Sequence, residues 1–143
     1  MVAVDTNILV YAHRADSEWH DVAKNRLCRL AENPTPWSIP WPCLAEFYSV
    51  TTHTRIYKQP TSPTRALEQI EAWLSSPSVI LLGESPTSWT RLKQLLVTAQ
   101  IRGSGVHDAR IAALCLEHGV SELWSADKDF SRYPSLKTRN PLL

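Results

Sequence analysis

Residues 2–12 read VAVDTNILVYA. They open as a short apolar strand, Val2 to Val4. The chain then meets Asp5, Thr6 and Asn7, residue types that favour caps and turns because their short polar side chains bond nearby backbone groups. Asp5 is therefore expected at the C-terminal end of a strand. Working outward, Val22, Ala23, Leu27 and Leu30 recur at helical spacing. They predict a helix from Ser17 to about Ala31, its apolar face extended by Trp19 and Cys28 and its end set by Asn33 and Pro34. WSIPW (37–41) reads as a brief strand between prolines. PCLAEFYSVTTHTRIY (42–57) reads as a helix with Pro42 at its start and Glu46 in its first or second turn.

The second half continues the alternation. Pro60 to Pro63 is a link, and Ala66, Leu67, Ile70, Trp73 and Leu74 mark another amphipathic helix closed by Ser75 to Pro77. SVILL (78–82) reads as a buried strand and SPTSWTRLKQLLVTAQI (85–101) as a helix. Gly103 and Gly105 make a flexible loop before a helix from about His107 to Glu117, which puts Asp108 in a first turn and Gly119 at the stop. SELWSADKDF (121–130) is a strand ending near Ser125 or Ala126 and then a tight polar turn, and SLKTRNP (135–141) can supply an edge strand. This beat indicates an open, mostly parallel α/β sheet, in which ligands collect beyond the carboxyl ends of the strands.

A chain of 143 residues is the usual size of one domain, and no repeat or linker divides it, so one domain over 1–143 is expected. A hydrophobic fraction of 43% with 20% charged residues describes a folded protein, and the apolar runs are too short to span a bilayer. No basic leader precedes VAVD, so the expectation is a cytoplasmic protein without a membrane partner. Cys28, Cys43 and Cys115 form no CxxC pair and read as ordinary buried thiols, not a zinc knuckle or disulfide framework. The formal charge of +1 argues against a surface that coats nucleic acid broadly, yet allows a local groove.

The chemistry lies in the acids. Asp5 and Asp127 each follow a short apolar strand, and parallel strands bring their carboxylates out on one edge. Glu46 and Asp108 lie early in helices that begin near that edge, so all four are expected to converge. Each has a bland alternative: a turn at Asp5 or Asp127, a helix dipole at Glu46, an N-cap at Asp108. Two unit charges about 4 Å apart repel by roughly 4 kcal/mol at an effective dielectric near 20, so a bare cluster calls for a cation. An all-oxygen donor set without clustered His or Cys suits Mg²⁺, with Mn²⁺ as substitute, and such an ion activates water for in-line attack on phosphorus. Thr6, Asn7 and Ser125 are supporting candidates, Asp129 is a peripheral ligand or a cap, and His107 can meet substrate.

VDTNILVYA, LAEFYSV, HDARIAA and SADKDF, in this order and over essentially the whole chain, resemble the four acidic motifs of the PIN-domain nucleases, more closely the VapC-type toxins of toxin-antitoxin pairs. The resemblance implies a three-layer fold with a parallel sheet of about five strands between helices. It also implies a metal-dependent endoribonuclease acting on transfer or ribosomal RNA, a homodimer, and inhibition by a cognate VapB-like antitoxin. Asp5, Glu46, Asp108 and Asp127 match the acidic quartet one by one. Ser125 stands where threonine is commoner, and Asp129 matches an additional acidic position.

Other residues stay secondary. Arg14, Arg55, Lys58, Arg102 and Arg110 can line an RNA path, with plain surface solvation as the alternative. Single-stranded bases can stack on exposed aromatics, but Trp19, Trp41, Trp73 and Trp89 fit helix or core packing at least as well, and His13, His20, His53 and His118 have no ligand spacing. A haloacid-dehalogenase-like phosphatase is disfavoured because its second aspartate would fall at Asn7. A DNA-cleaving nuclease of the same fold and a catalytically silent RNA-binding module remain as competing readings.

Overall fold

The computed structural model describes residues 1–143. Five strands, β1 (Val2–Val4), β2 (Trp37–Pro40), β3 (Val79–Leu82), β4 (Glu122–Trp124) and β5 (Thr138–Arg139), form one sheet in the order β3-β2-β1-β4-β5. Every pairing is parallel; Val2 lies beside Trp37 on one side and Glu122 on the other. The helices are α1 (Thr6–His13), α2 (His20–Glu32), α3 (Trp41–Thr51), α4 (Pro63–Leu74), α5 (Ser88–Thr98) and α6 (Val106–Glu117). Short 3₁₀ turns cover Gly103–Gly105 and Lys128–Arg132.

The strand order positions everything else. From β1 the chain steps outward to β2 and then β3, carrying α1 to α4; it then returns across the sheet with α5 and α6 to enter β4 on the other side of β1. Right-handed crossovers that travel in opposite directions place their helices on opposite faces of the sheet. Accordingly α1 packs on α2 and α3, and α3 on α4, while α5 packs on α6. The direction reverses between β1 and β4, which opens a crevice beyond their carboxyl ends.

Between the layers lies a cluster of 28 buried residues, among them Trp37, Phe47 and Leu123. Phe47 meets Trp73 edge-on at 4.8 Å between centroids, and Trp37 Nε1 donates to Ser76 Oγ at 3.1 Å, so the indole is buried with its one donor satisfied. No helix is long and apolar enough to cross a membrane.

Several expectations are corrected. Residues 6–13 form a helix of their own, begun directly at Asp5, where only a cap or turn was expected. The next helix starts at His20 and not Ser17, because the Ser17 hydroxyl accepts from Trp19 N at 3.1 Å and holds a turn there. The helix after Pro42 stops at Thr51, where the Thr51 and Thr52 hydroxyls bond back to the carbonyls of Phe47 and Tyr48. SVILL is an edge strand with Ile80 43% exposed, not a buried one. Cys28 is exposed, unlike Cys43 and Cys115, because it falls on the solvent side of α2. Trp41 and Trp89, 55% and 60% exposed, are outside the core. The histidines are locally bonded: His13 to Gln69 and Thr61, His20 to the Tyr11 carbonyl, His53 to Arg55 N, and His118 to the Gly83 carbonyl.

Two helices end in the same motif with different residues at its left-handed position. After α6, Gly119 (φ +67°) donates to Leu116 O while Val120 N reaches Cys115 O at 2.9 Å. After α5, Gln100 (φ +53°) donates to Val97 O while Ile101 N reaches Leu96 O at 3.0 Å. A β-carbon is disfavoured in that backbone region. Chemical denaturation is expected to show Gly119→Ala destabilised by about 1 kcal/mol and Gln100→Gly stabilised by up to about 1 kcal/mol.

Candidate active site

Asp5 stands where β1 ends. Its amide donates to Trp124 O at 2.9 Å, which locks the end of β1 to β4, and its side chain caps α1 by accepting from Thr6 N at 2.8 Å. The second carboxylate oxygen accepts from Ser125 Oγ at 2.7 Å and more weakly from Asn7 Nδ2 at 3.4 Å. Cys43 Sγ lies 3.8 Å from the first oxygen. Asn7 also reaches Ser125 Oγ at 3.3 Å and accepts from Ala126 N at 3.2 Å, so one amide ties α1 to the turn after β4. Ser125 Oγ in turn accepts from Asp127 N at 3.0 Å. All these donors are neutral.

The remaining acids arrive from the other elements bordering the crevice. Asp108 is the third residue of α6, Glu46 lies in the second turn of α3, and Asp127 caps the 3₁₀ turn by accepting from Asp129 N at 2.8 Å. Asp5, Glu46, Asp108 and Asp127 all line one cleft of about 260 Å³, together with Thr6, Asn7, Val10, Tyr11, Val50 and Tyr57. Carboxylate oxygens of Asp108, Asp127 and Asp129 lie within 4.8 Å of one another, with Asp129 on the exposed rim.

No cation balances this group. The three ion pairs of the fold, Arg14–Asp16, Arg110–Glu84 and Lys137–Glu122, involve none of these acids. The Asp5 carboxyl is pushed up to about 6, mainly by burial and further by Glu46 and Asp127, although the Ser125 and Thr6 donors pull the other way. Asp108 also rises to about 6, through burial and then the charges of Asp127, Asp5 and Asp129. Glu46, on the solvent side of the cleft, is raised by the desolvation of its carboxyl and by Asp108, with the nearby Thr6 hydroxyl and then His107 acting against them. The hydroxyl of Thr6 is buried on the cleft wall against Glu46 and Cys43, without a hydrogen bond of ordinary geometry to either. Unbalanced oxygen donors beside an unpartnered hydroxyl fit a hard divalent cation and its waters.

The supporting candidates separate here. Asn7 and Ser125 hold Asp5 directly, Thr6 contributes its amide and its hydroxyl, Asp129 joins the rim, and His107 is exposed beside Glu46. Of the cationic candidates, Arg14 and Arg110 are engaged in ion pairs, whereas Arg55, Lys58 and Arg102 are exposed. Sequence reasoning did not single out Val10, Tyr11, Val50 or Tyr57, which form the other wall of the cleft. Reading residues 6–13 as a helix would have put Val10 and Tyr11 on the face of Thr6 and Asn7. Tyr57 sits in a loop and carries no local signal.

The comparisons agree with this geometry. The model of the PIN domain family matches residues 2–136. Over 142 residues the chain is 38% identical to ribonuclease VapC43 of Mycobacterium tuberculosis, covering 99% of this chain and 96% of that protein. Among solved structures, Mycobacterium tuberculosis VapC20, described as a sarcin-ricin loop cleaving toxin, aligns with a TM-score of 0.68 at 21% identity, over 92% of this chain and 93% of that one. A chain of VapBC2 from Rickettsia felis, solved bound to a fragment of its promoter DNA, aligns with a TM-score of 0.68 at 22% identity, over 97% and 98%. At those identities the two structures speak to the fold, whereas the family match and VapC43 speak to descent. With a parallel sheet that gathers acids from four elements at its switch point, this chain belongs to the PIN-domain family and, within it, to the VapC-type members.

Proposed function

We propose that this chain is a single-domain, divalent-metal-dependent endoribonuclease, the toxin of a toxin-antitoxin pair. The observation that carries this reading is the convergence of Asp5, Glu46, Asp108 and Asp127 in one cleft with no cationic side chain paired to them. The ribonuclease VapC43 relative supports RNA as the substrate, and transfer or ribosomal RNA is the class proposed. The VapC relatives also support a VapB-like antitoxin as partner, and a homodimer in the cytoplasm completes the proposal. Mg²⁺ is the proposed ion, with Mn²⁺ as substitute, because all the donors are hard oxygens.

In this reading Asp5 is the fixed ligand, because Ser125, Asn7 and the Thr6 amide leave its carboxylate one orientation. Asp108 and Asp127 hold the cation from the α6 and β4 sides, with Asp129 at the rim, and Glu46 closes the α3 side. A bound divalent ion supplies positive charge to the phosphoryl oxygens and makes a water molecule more acidic. Asp108 and Glu46, whose carboxyls are raised, are suited to orient the attacking water and take its proton. The Thr6 hydroxyl, set beside Glu46, is placed to hold that water or a phosphate oxygen.

The direct test is cleavage of labelled structured RNAs by the purified chain. Mg²⁺ or Mn²⁺ should give discrete products; chelator, or Asp5→Asn, should lower the rate by at least about two orders of magnitude. Cleavage of DNA and not RNA would overturn the substrate assignment, and cleavage of neither would overturn the nuclease reading. Ser125→Ala is expected to weaken Mn²⁺ binding by roughly ten- to a hundredfold in a direct titration, with Ser125→Thr near the parent.

Stability should report the same charges. Asp5 and Asp108 bind protons more tightly folded than unfolded, so the metal-free protein is most stable below about pH 4 as far as these groups decide, and loses that stability as the pH rises through about 6. Asp5 alone accounts for up to roughly 3 kcal/mol, and Asp108, which is partly solvated, for less. Thermal melts should show this decline between pH 4 and 7, its reversal by Mg²⁺ at pH 7, and a flatter profile without metal rescue in Asp5→Asn.

A further inference from the structure

The cleft has two unlike halves. One is acidic; the other is built from Val10 and Tyr11 of α1, Val50 of α3, and Tyr57 from the loop that follows α3. Hydrocarbon offers a metal ion nothing and a neutral phenol is a weak ligand beside four carboxylates, so these side chains suit something flat or apolar. Tyr57 is held there by a brace. The guanidinium carbon of Arg14 sits 3.9 Å from the centroid of its ring. The Arg14 side chain is itself only 10% exposed, and its donors are occupied: Nε and Nη2 reach the two Asp16 oxygens at 2.9 and 2.5 Å, and Nη1 reaches Gln59 O at 2.8 Å. An arginine so engaged is a fixed plate and not a free phosphate ligand.

The brace also has a direction. Arg14 lines a neighbouring cavity of about 480 Å³ with His13, Thr61 and Arg65, and does not line the acidic cleft. It therefore stacks on the Tyr57 ring from the side of that cavity, while Tyr57 itself lines the cleft. A phosphodiester placed on the acids would carry its adjoining nucleoside onto this wall.

We propose that Val10, Tyr11, Val50 and Tyr57 form a nucleobase subsite, in which an unstacked base of the RNA beside the scissile phosphate stacks on Tyr57 and the Arg14–Asp16 pair positions that ring. The inference rests on the nuclease reading and adds a substrate requirement to it. The base must be free to leave its neighbours, so the cut lies in a loop or single strand, and stacking on a face accepts any of the four bases.

The test pairs removal of the ring with removal of the base. An oligoribonucleotide spanning the mapped cut site is prepared intact and with a single abasic nucleotide at each position flanking the scissile bond. For the parent protein, one abasic position should lower kcat/KM by on the order of tenfold, chiefly through KM. Tyr57→Ala should show that loss on intact RNA and no further loss at that position. Tyr57→Phe should match the parent with unchanged Mn²⁺ binding and thermal midpoint, and Arg14→Met should fall between, with unchanged Mn²⁺ binding and a lowered thermal midpoint. An equal loss on intact and abasic RNA, or no loss in Tyr57→Ala, overturns the subsite. Binding of a single-stranded oligoribonucleotide with a central 2-aminopurine, which needs no mapped cut, separates the two claims. If the parent cuts no RNA yet quenches the probe and Tyr57→Ala does not, the subsite stands without the nuclease; if the parent cuts and Tyr57→Ala cuts every RNA equally well, the nuclease stands without the subsite.

Discussion

The repulsion among carboxylates crowded into one cleft without a counter-cation is the constraint to which the surrounding structure answers. At an effective dielectric near 20, each pair of charges about 4 Å apart costs roughly 4 kcal/mol. The fold meets this with dipoles and neutral donors. Asp5 caps α1, Asp108 opens α6, Asp127 caps the 3₁₀ turn and Glu46 lies early in α3, so each acid faces or neighbours the positive end of a helical segment. Ser125, Asn7 and the Thr6 amide add hydrogen bonds to Asp5 but no charge. Burial first, and then the remaining charge imbalance, keeps the Asp5 and Asp108 carboxyls near 6.

The topology explains why four separate segments can share this task. β1 lies at the centre of the sheet, where the direction of winding reverses, and the crevice opens between its end and that of β4. Asp5 N to Trp124 O and Asn7 to Ala126 N fasten these two ends together. Any looseness between β1 and β4 would be felt at once in the spacing of Asp5 and Asp127, so the buried strands give the site its rigidity.

Local rules made much of this legible. The helices from Ala66, Leu67 and Ile70, from Leu92, Leu95 and Leu96, and from Asp108 onward follow apolar spacing, and Gly119 ends its helix at a positive φ as expected. The errors share a cause. SVILL looks buried because it is wholly apolar, but only strand order decides that it is an edge. Trp41, Trp89 and Cys28 look like core residues by type, yet the helix faces that carry them turn outward. ILVYA after Asp5 is apolar at nearly every position, because α1 is covered by α2 and α3 and most of its residues are buried, so no amphipathic period announces it.

By itself, the sequence determined the α/β alternation, the acids placed at strand and helix ends, and the family to which their order belongs, because caps, periodicity and strand-end turns are set by neighbours in the chain. Only the tertiary structure decided that the carboxylates share one cleft without a counter-charge, that Ser125 reaches Asp5 and Asn7 from the far end of the chain, and that Arg14 braces Tyr57 beside the cleft. Those contacts join residues far apart in sequence, and their energies depend on which strands pair and which faces are covered, quantities that exist only once the chain has folded.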